Sequence, residues 1–281
     1  MSASRLPWLE RAVPARLLQW EGATVCLATW AFLAAIPLAL GGIGLSTDAL
    51  NHHIYLGWTA QEHRLDRDFL GGGYQSFQWP YLYWPVYRMA VAGWSGMAAG
   101  LVLATAQAIV AWPVWMLARA CIPGATVFDL AMRILAVALA LASGVVLSVF
   151  GSTMNDLFAA VPLVWAVALA IEAASPRSED GAARAARRAV LWSGLAAGVS
   201  VALKLSNGPL AACMPLLWLH CARGTGARLR MAAGGSLAAA AGFTLVYGYW
   251  GSLLWRHYGN PIFPFQEHWF APLRAWLGGA S

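Results

Sequence analysis

Seven stretches of nearly unbroken apolar sequence decide what this chain can become; they lie at about residues 23–45, 90–118, 130–150, 155–174, 189–205, 208–222 and 231–254. A helix needs roughly 20 apolar residues to cross the hydrocarbon of a bilayer. With 60% hydrophobic residues and only 11% charged, no soluble fold of 281 residues hides that much apolar surface. The sequence therefore predicts an all-α, polytopic transmembrane helical bundle, a single domain over residues 1–281 with about seven spans. The fifth and sixth stretches are short and meet at Ser206-Asn207-Gly208-Pro209, a turn signal that predicts a helical hairpin. Arg5, Arg11 and Arg16 precede an apolar stretch too long for a signal-peptide core, with no clean cleavage site, so the first span is expected to remain as an anchor.

Charge gives the orientation. With the N-terminus in the cytoplasm, the inner segments hold Arg5, Arg11, Arg16, Arg119, Arg133, Arg177, Arg184, Arg187, Arg188, Arg223, Arg228 and Arg230. The outer segments hold Arg64, Arg67, Arg88, Lys204, Arg256 and Arg274. That two-to-one bias is a positive-inside pattern. It accounts for most of the net charge of +6 without a nucleic-acid partner. Seven tryptophans near segment ends (Trp20, Trp79, Trp84, Trp112, Trp192, Trp250 and Trp255) read as interface anchors. The four cysteines (Cys26, Cys121, Cys213, Cys221) show neither metal-ligand spacing nor a disulfide framework.

The outer side is then the informative one. Its first loop, residues 46–88, is long and rich in Tyr, Trp, Phe, His and acids. Residues 56–70 mix apolar and charged side chains in a pattern suited to an interfacial amphipathic helix. Gly71-Gly72-Gly73 breaks it, and the aromatic, Pro-punctuated residues 77–87 suit a loop lying along the membrane surface. Residues 175–188 form a solvated cytoplasmic loop, and residues 255–281 an extracytoplasmic tail.

Four polar groups converge on that side. They are Asp48 with Asn51, His52 and His53; Asn155 with Asp156; Lys204; and Arg256 with His257 and Asn260. Charges at span ends are costly and usually paired or functional. Each also has a plainer reading. Asp156 suits a helix N-terminus, Lys204 and Arg256 suit snorkelling, and the two histidines suit an exposed loop. Asp48 resists the plainer reading, because its short side chain follows an apolar span directly. A carboxylate there can act as a general base, and Lys or Arg at the same depth can hold a phosphate leaving group.

In this set the chain resembles the multi-span glycosyltransferases of the C-type fold, which use polyprenyl-phosphate-linked sugars. Bacterial members related to protein mannosyltransferases and aminoarabinose transferases are the nearest comparison. The resemblance rests on Asp48-x-x-x-His52-His53, on Asn155-Asp156 opening a later span, on a Gly-rich span (Gly194, Gly198) running to Lys204, and on Gly259-Asn260-Pro261-Ile262-Phe263-Pro264-Phe265. It implies transfer of a sugar from a polyprenyl-phosphate donor to an extracytoplasmic glycan, lipid or protein acceptor. Asp48 would be the catalytic base and Lys204 would face the lipid phosphate. Asn51, His52, His53, Asn155, Asp156, Arg256, His257 and Asn260 would contribute to substrate binding. It implies an inverting enzyme of a bacterial inner membrane with its site facing outward. Some relatives use a divalent metal, but carboxylate-rich spacing is thin here, so no cofactor and no obligatory metal are expected. Members of the family usually continue beyond the Asn-Pro-x-Phe-Pro segment; a chain ending at Ser281 is expected to be a short form, a truncated frame or a subunit with a partner. Two other readings remain open. A transporter or flippase would place ionisable groups near mid-bilayer and show related halves, and a non-catalytic membrane subunit would leave the outer polarity incidental.

Overall fold

The computed structural model describes residues 6–44, 46–67, 71–175 and 181–277. Arg5, Leu45, Leu70, Arg177 and residues 278–281, which enter the expectations above, lie outside the described residues. The fold is helical throughout, with one short extended segment, Gly71–Tyr74.

Among the described residues, four helices are long and apolar enough to cross a membrane. They are α1 (Ala15–Leu40), the continuous run Gly96–Cys121, α8 (Asp156–Ala174) and α12 (Thr225–Tyr258). The Gly96–Cys121 run consists of α4 (Gly96–Gln107), one 3-10 turn and α5 (Ala111–Cys121). Between α1 and α4 lie α2 (Ile54–Thr59) and α3 (Trp84–Val91). Of the other three apolar stretches, two are broken and one is a continuous helix with a charged first half. Residues 130–150 become α6 (Val127–Leu141) and α7 (Gly144–Val149), separated where the Ser143 hydroxyl accepts the Val146 N–H and starts a new helix. Residues 189–205 fall in α9 (Ala182–Leu203), whose first turns carry Arg184, Arg187 and Arg188. Residues 208–222 divide into α10 (Gly208–Ala212), α11 (Met214–Trp218) and a 3-10 turn. Pro209 and Pro215 open two of these pieces, as proline does where its missing N–H is no loss. Laid end to end as one helix, that stretch would reach about 21 Å, short of a hydrocarbon core of about 30 Å.

The bundle has two distinct ends. At one, the N-terminal segment meets the α5–α6 connection, where Val13 N–H donates to the Ala125 carbonyl at 2.8 Å. At the other, the turn after α1 meets the turn before α8, where Gly44 N–H donates to the Gly151 carbonyl at 3.1 Å. The second end carries residues 46–67, the start of α8 and the end of α9.

Small residues set the helix spacing. A Cβ on Gly194 or Gly198 would overlap the carbonyls of Gly235 and Ala239 on α12, and one on Gly242 would overlap the Leu195 carbonyl on α9. Side chains of this size let helix backbones meet directly, which is how packing holds helices together in lipid. Gly198→Ala is expected to push α9 and α12 apart at a cost of about 1–3 kcal/mol. The check is a lower Tm in detergent beside Gly234→Ala, whose added methyl meets nothing closer than Leu191 Cδ2 at 3.8 Å; equal Tm values would contradict this account of the packing.

Three expectations need correction. Arg133 is not a loop arginine of the inner side. It is buried between α1, α5 and α6, where its guanidinium grips the Glu21 carboxylate through Nε at 2.6 Å and Nη2 at 2.8 Å. Trp250 is not an interface anchor, being fully buried with its indole N–H on the Phe77 carbonyl. The expected interfacial helix over 56–70 is not continuous in its described part: α2 stops at Thr59 and residues 60–67 run mostly in turns and bends. Cys26, Cys121, Cys213 and Cys221 are free.

Candidate functional site

The loop after α1 is organised by its own polar side chains. Ser46 Oγ accepts the Ala49 N–H at 3.1 Å, and a π-helical turn over Ala49–His53 then leads into α2. Single π turns widen a helix locally and are frequent at functional sites. Here the turn sets His52 on the side of Asp48, with Nδ1 4.0 Å from the Asp48 carboxylate. His53 points into the bundle, stacked on Tyr83 at a centroid distance of 4.6 Å and edge-on to His52 at 4.7 Å. Gly57 lets α2 close on the start of α3, since a Cβ there would collide with Tyr83 and Tyr87. The extended segment Gly71–Tyr74 lies against His52, and a Cβ on Gly72 would come within 2.9 Å of the His52 Cβ.

The facing wall comes from the turn before α8. Gln107 is fully buried between α4 and α5. Its amide nitrogen donates to the Val149 carbonyl at 3.1 Å, and its oxygen accepts the Gly151 N–H at 2.9 Å. That clamp fixes the turn from which Thr153 reaches His53, with Oγ1 2.6 Å from Nδ1. Two residues on, Asn155 and Asp156 receive Lys204: Nζ donates to Asn155 Oδ1 at 3.2 Å and to Asp156 Oδ1 at 2.5 Å. Lys204 is presented by the end of α9, where it leaves the helix in an extended conformation. Asn207 secures that exit by donating to Ser200 Oγ at 2.8 Å, while Ser200 Oγ donates to the Ala159 carbonyl.

Asp48, His52, His53, Tyr83, Thr153, Asn155, Asp156 and Lys204 therefore belong to one cluster. Its electrostatics run through His53, which is pushed down to about 4, first by burial and then by His52. Asp48 and Asp156 oppose that shift, and Lys204 adds to it. His52 is also lowered by burial against the pull of Asp48. Tyr83 is raised, chiefly by burial and further by the carboxylates of Asp156 and Asp48. Both imidazoles and the phenol are thus neutral near pH 7. The charged groups at the rim remain half-open, with Asp48 and Asp156 each about half exposed.

Beside Lys204 opens a small cavity of about 110 Å³. Its lining joins Lys204 to four aromatic residues, Phe77, Trp79, Tyr247 and Phe265. Trp79 is held by its indole N–H on the Val246 carbonyl at 3.1 Å. Among the described residues, the lining includes neither Asp48 nor Arg256.

The remaining candidates are placed differently. Asn51 is exposed on the π turn. Arg256 and His257 are exposed on the last turn of α12. Asn260 is fully buried and spends its side chain on its own turn, donating to the Phe265 carbonyl and Glu267 and accepting the Ile262 N–H. Glu267 in turn pairs with Arg274 of the last helix, α13 (Glu267–Trp276). The 259–265 segment reaches the cavity through Phe265 rather than through its polar residues. Sequence reasoning did not single out Tyr83, Thr153 or Gln107. Only Gln107 carried a signal, an uncharged amide alone in the middle of an apolar span.

No protein-family model matches the chain, and no curated protein or solved structure is significantly similar to it.

Proposed function

We propose that this protein is a membrane glycosyltransferase that moves a sugar from a polyprenyl-phosphate donor to an acceptor on the extracytoplasmic face, with Asp48 as general base. The observation that carries the reading is the meeting, at one end of the bundle, of a half-open carboxylate, a lysine at an aromatic cavity, and a buried polar wall between them. In this scheme the acceptor hydroxyl attacks the anomeric carbon and Asp48 takes its proton. The bond from that carbon to the phosphate oxygen breaks, and polyprenyl phosphate leaves. In this scheme Lys204 and Asn155 meet the phosphate, and Asp156 holds the ammonium until the anion arrives; the Lys204 contacts to Asn155 and Asp156 support this reading. Aromatic walls suit a sugar or prenyl face beside that charge.

The same reading sets the topology. The N-terminus lies in the cytoplasm, as the arginine bias requires. The four long helices cross the membrane, and α6 with α7, α9 and the broken stretch 208–222, too short as a single helix to span the hydrocarbon core, carry the chain between them. The cluster then faces outward from a bacterial inner membrane.

Lys204→Met tests the phosphate assignment. A charge-assisted hydrogen bond is worth about 1.5–3 kcal/mol, so affinity for radiolabelled polyprenyl phosphate in nanodiscs is expected to fall roughly 10- to 100-fold. Unchanged affinity with an intact fold would remove Lys204 from the donor site.

A further inference from the structure

Asp48, His52 and His53 offer one ligand atom each, and the three atoms lie within 4.8 Å of one another. We propose that this triad binds a divalent transition-metal ion of the zinc class, through one nitrogen of each imidazole and one oxygen of Asp48. The inference goes beyond the transfer reading and does not depend on it, because it concerns binding of the ion alone. It goes beyond the sequence reading, which expected no obligatory metal.

Donor chemistry selects the ion. Two imidazoles and one carboxylate suit zinc and its neighbours rather than calcium or magnesium, which take oxygen-rich shells. Three protein ligands leave an open position, the arrangement of reactive rather than purely structural zinc sites. In a tetrahedral site with bonds near 2.0–2.1 Å, ligand atoms stand roughly 3.3–3.5 Å apart. The triad must therefore close by up to about 1.5 Å, and the Asp48 side chain, half-exposed, has room to swing inward.

The surroundings match a ligand shell as well. Metal-bound histidines are usually oriented by a hydrogen bond at their other ring nitrogen. His53 has such an orienting partner in Thr153, 2.6 Å from Nδ1, and Thr153 is itself fixed by the turn that Gln107 clamps. Stacking on Tyr83 sets the plane of the His53 ring, and Gly72 closes against His52. Both histidines are buried, whereas Asp48 opens the site to the outside. The nearby Asp156 is occupied by Lys204 and takes no part. An Asp48 bound through one oxygen keeps the other for a proton, so ligation and the base role are compatible.

The experiment uses the full chain, purified in detergent micelles, stripped with chelator and titrated with Co²⁺. One equivalent is expected to give visible d–d bands of a low-coordinate site, and Zn²⁺ to erase them. Asp48→Ala, at a half-exposed position, should weaken uptake at least tenfold without loss of Tm. Thr153→Val should weaken it by roughly 10- to 100-fold, the usual cost of losing an orienting partner. His268→Gln, on the exposed face of α13, should leave the stoichiometry unchanged. Absence of the bands, or equal uptake by Asp48→Ala and the wild type, overturns the site. Neither result touches the transfer reading, which the donor-binding measurement tests separately.

Discussion

Asp48→Asn is expected to lower sugar transfer by about 10²- to 10⁴-fold, the usual contribution of a positioned general base. The substitution keeps the shape of the side chain and removes its ability to take a proton. Its structural cost is small, because the carboxylate is 52% exposed and stands 4.0 Å from its histidine neighbour. Neither the π turn nor α2 depends on it: Ser46 begins the turn, and Gly57 and Tyr83 seat the helix. Protein level and Tm should therefore match the wild type while transfer in a cell lacking the native gene disappears. Asp48→Glu sharpens the result. It retains the base but displaces it by one methylene, and a misplacement of that order costs about 10²-fold when geometry governs the step. Full transfer by the asparagine variant would end the general-base assignment.

What was legible in the sequence follows from where the physics is local. Apolar length is local, so each of the four long helices overlaps a stretch that hydropathy marks, although three of them extend past its ends. The break after α9 was legible too, because Ser206-Asn207-Gly208-Pro209 carries its own turn chemistry. Residues 208–222 show the limit of the same signal. Their hydropathy matches a span, yet Pro209 and Pro215 divide the helix, and a hydropathy window does not see that. The candidate site was legible in its charged members and not in its neutral ones. Asp48, Asp156 and Lys204 stand out in apolar sequence, whereas Tyr83 and Thr153 are ordinary residues for a loop until the fold brings them against His53. Asn260 shows the converse. A polar residue in a Pro-rich motif reads as a ligand, but here it satisfies the backbone of its own turn, a use that only three-dimensional accounting of hydrogen bonds reveals.

Arg133→Met is the second large expectation, a loss of about 3–5 kcal/mol of stability. Glu21 and Arg133 lie 112 residues apart and meet with both side chains only 2% exposed. Sequence windows separate them, so Arg133 reads only as one of the inner-side arginines and nothing pairs it with Glu21. In the fold the pair joins three helices. The Glu21 carboxylate takes Arg133 from α6 and the Trp115 indole N–H from α5 at 3.0 Å. Arg133 also donates to the Ile122 and Gly124 carbonyls, which closes the turn between α5 and α6. Removing the guanidinium strands a carboxylate away from water and frees two carbonyls at once, each with its own desolvation cost. Removing both charges is different, because a well-packed apolar pair of similar volume is often neutral or better. Glu21→Met with Arg133→Met should therefore recover most of the stability that either single variant loses. Thermal unfolding of all four proteins in one detergent gives the coupling directly. A large loss in the single variants with recovery in the double assigns the pair to helix register rather than to net stabilisation. Persistent loss in the double variant would instead place the main contribution in the carbonyl contacts of Arg133, which methionine cannot replace.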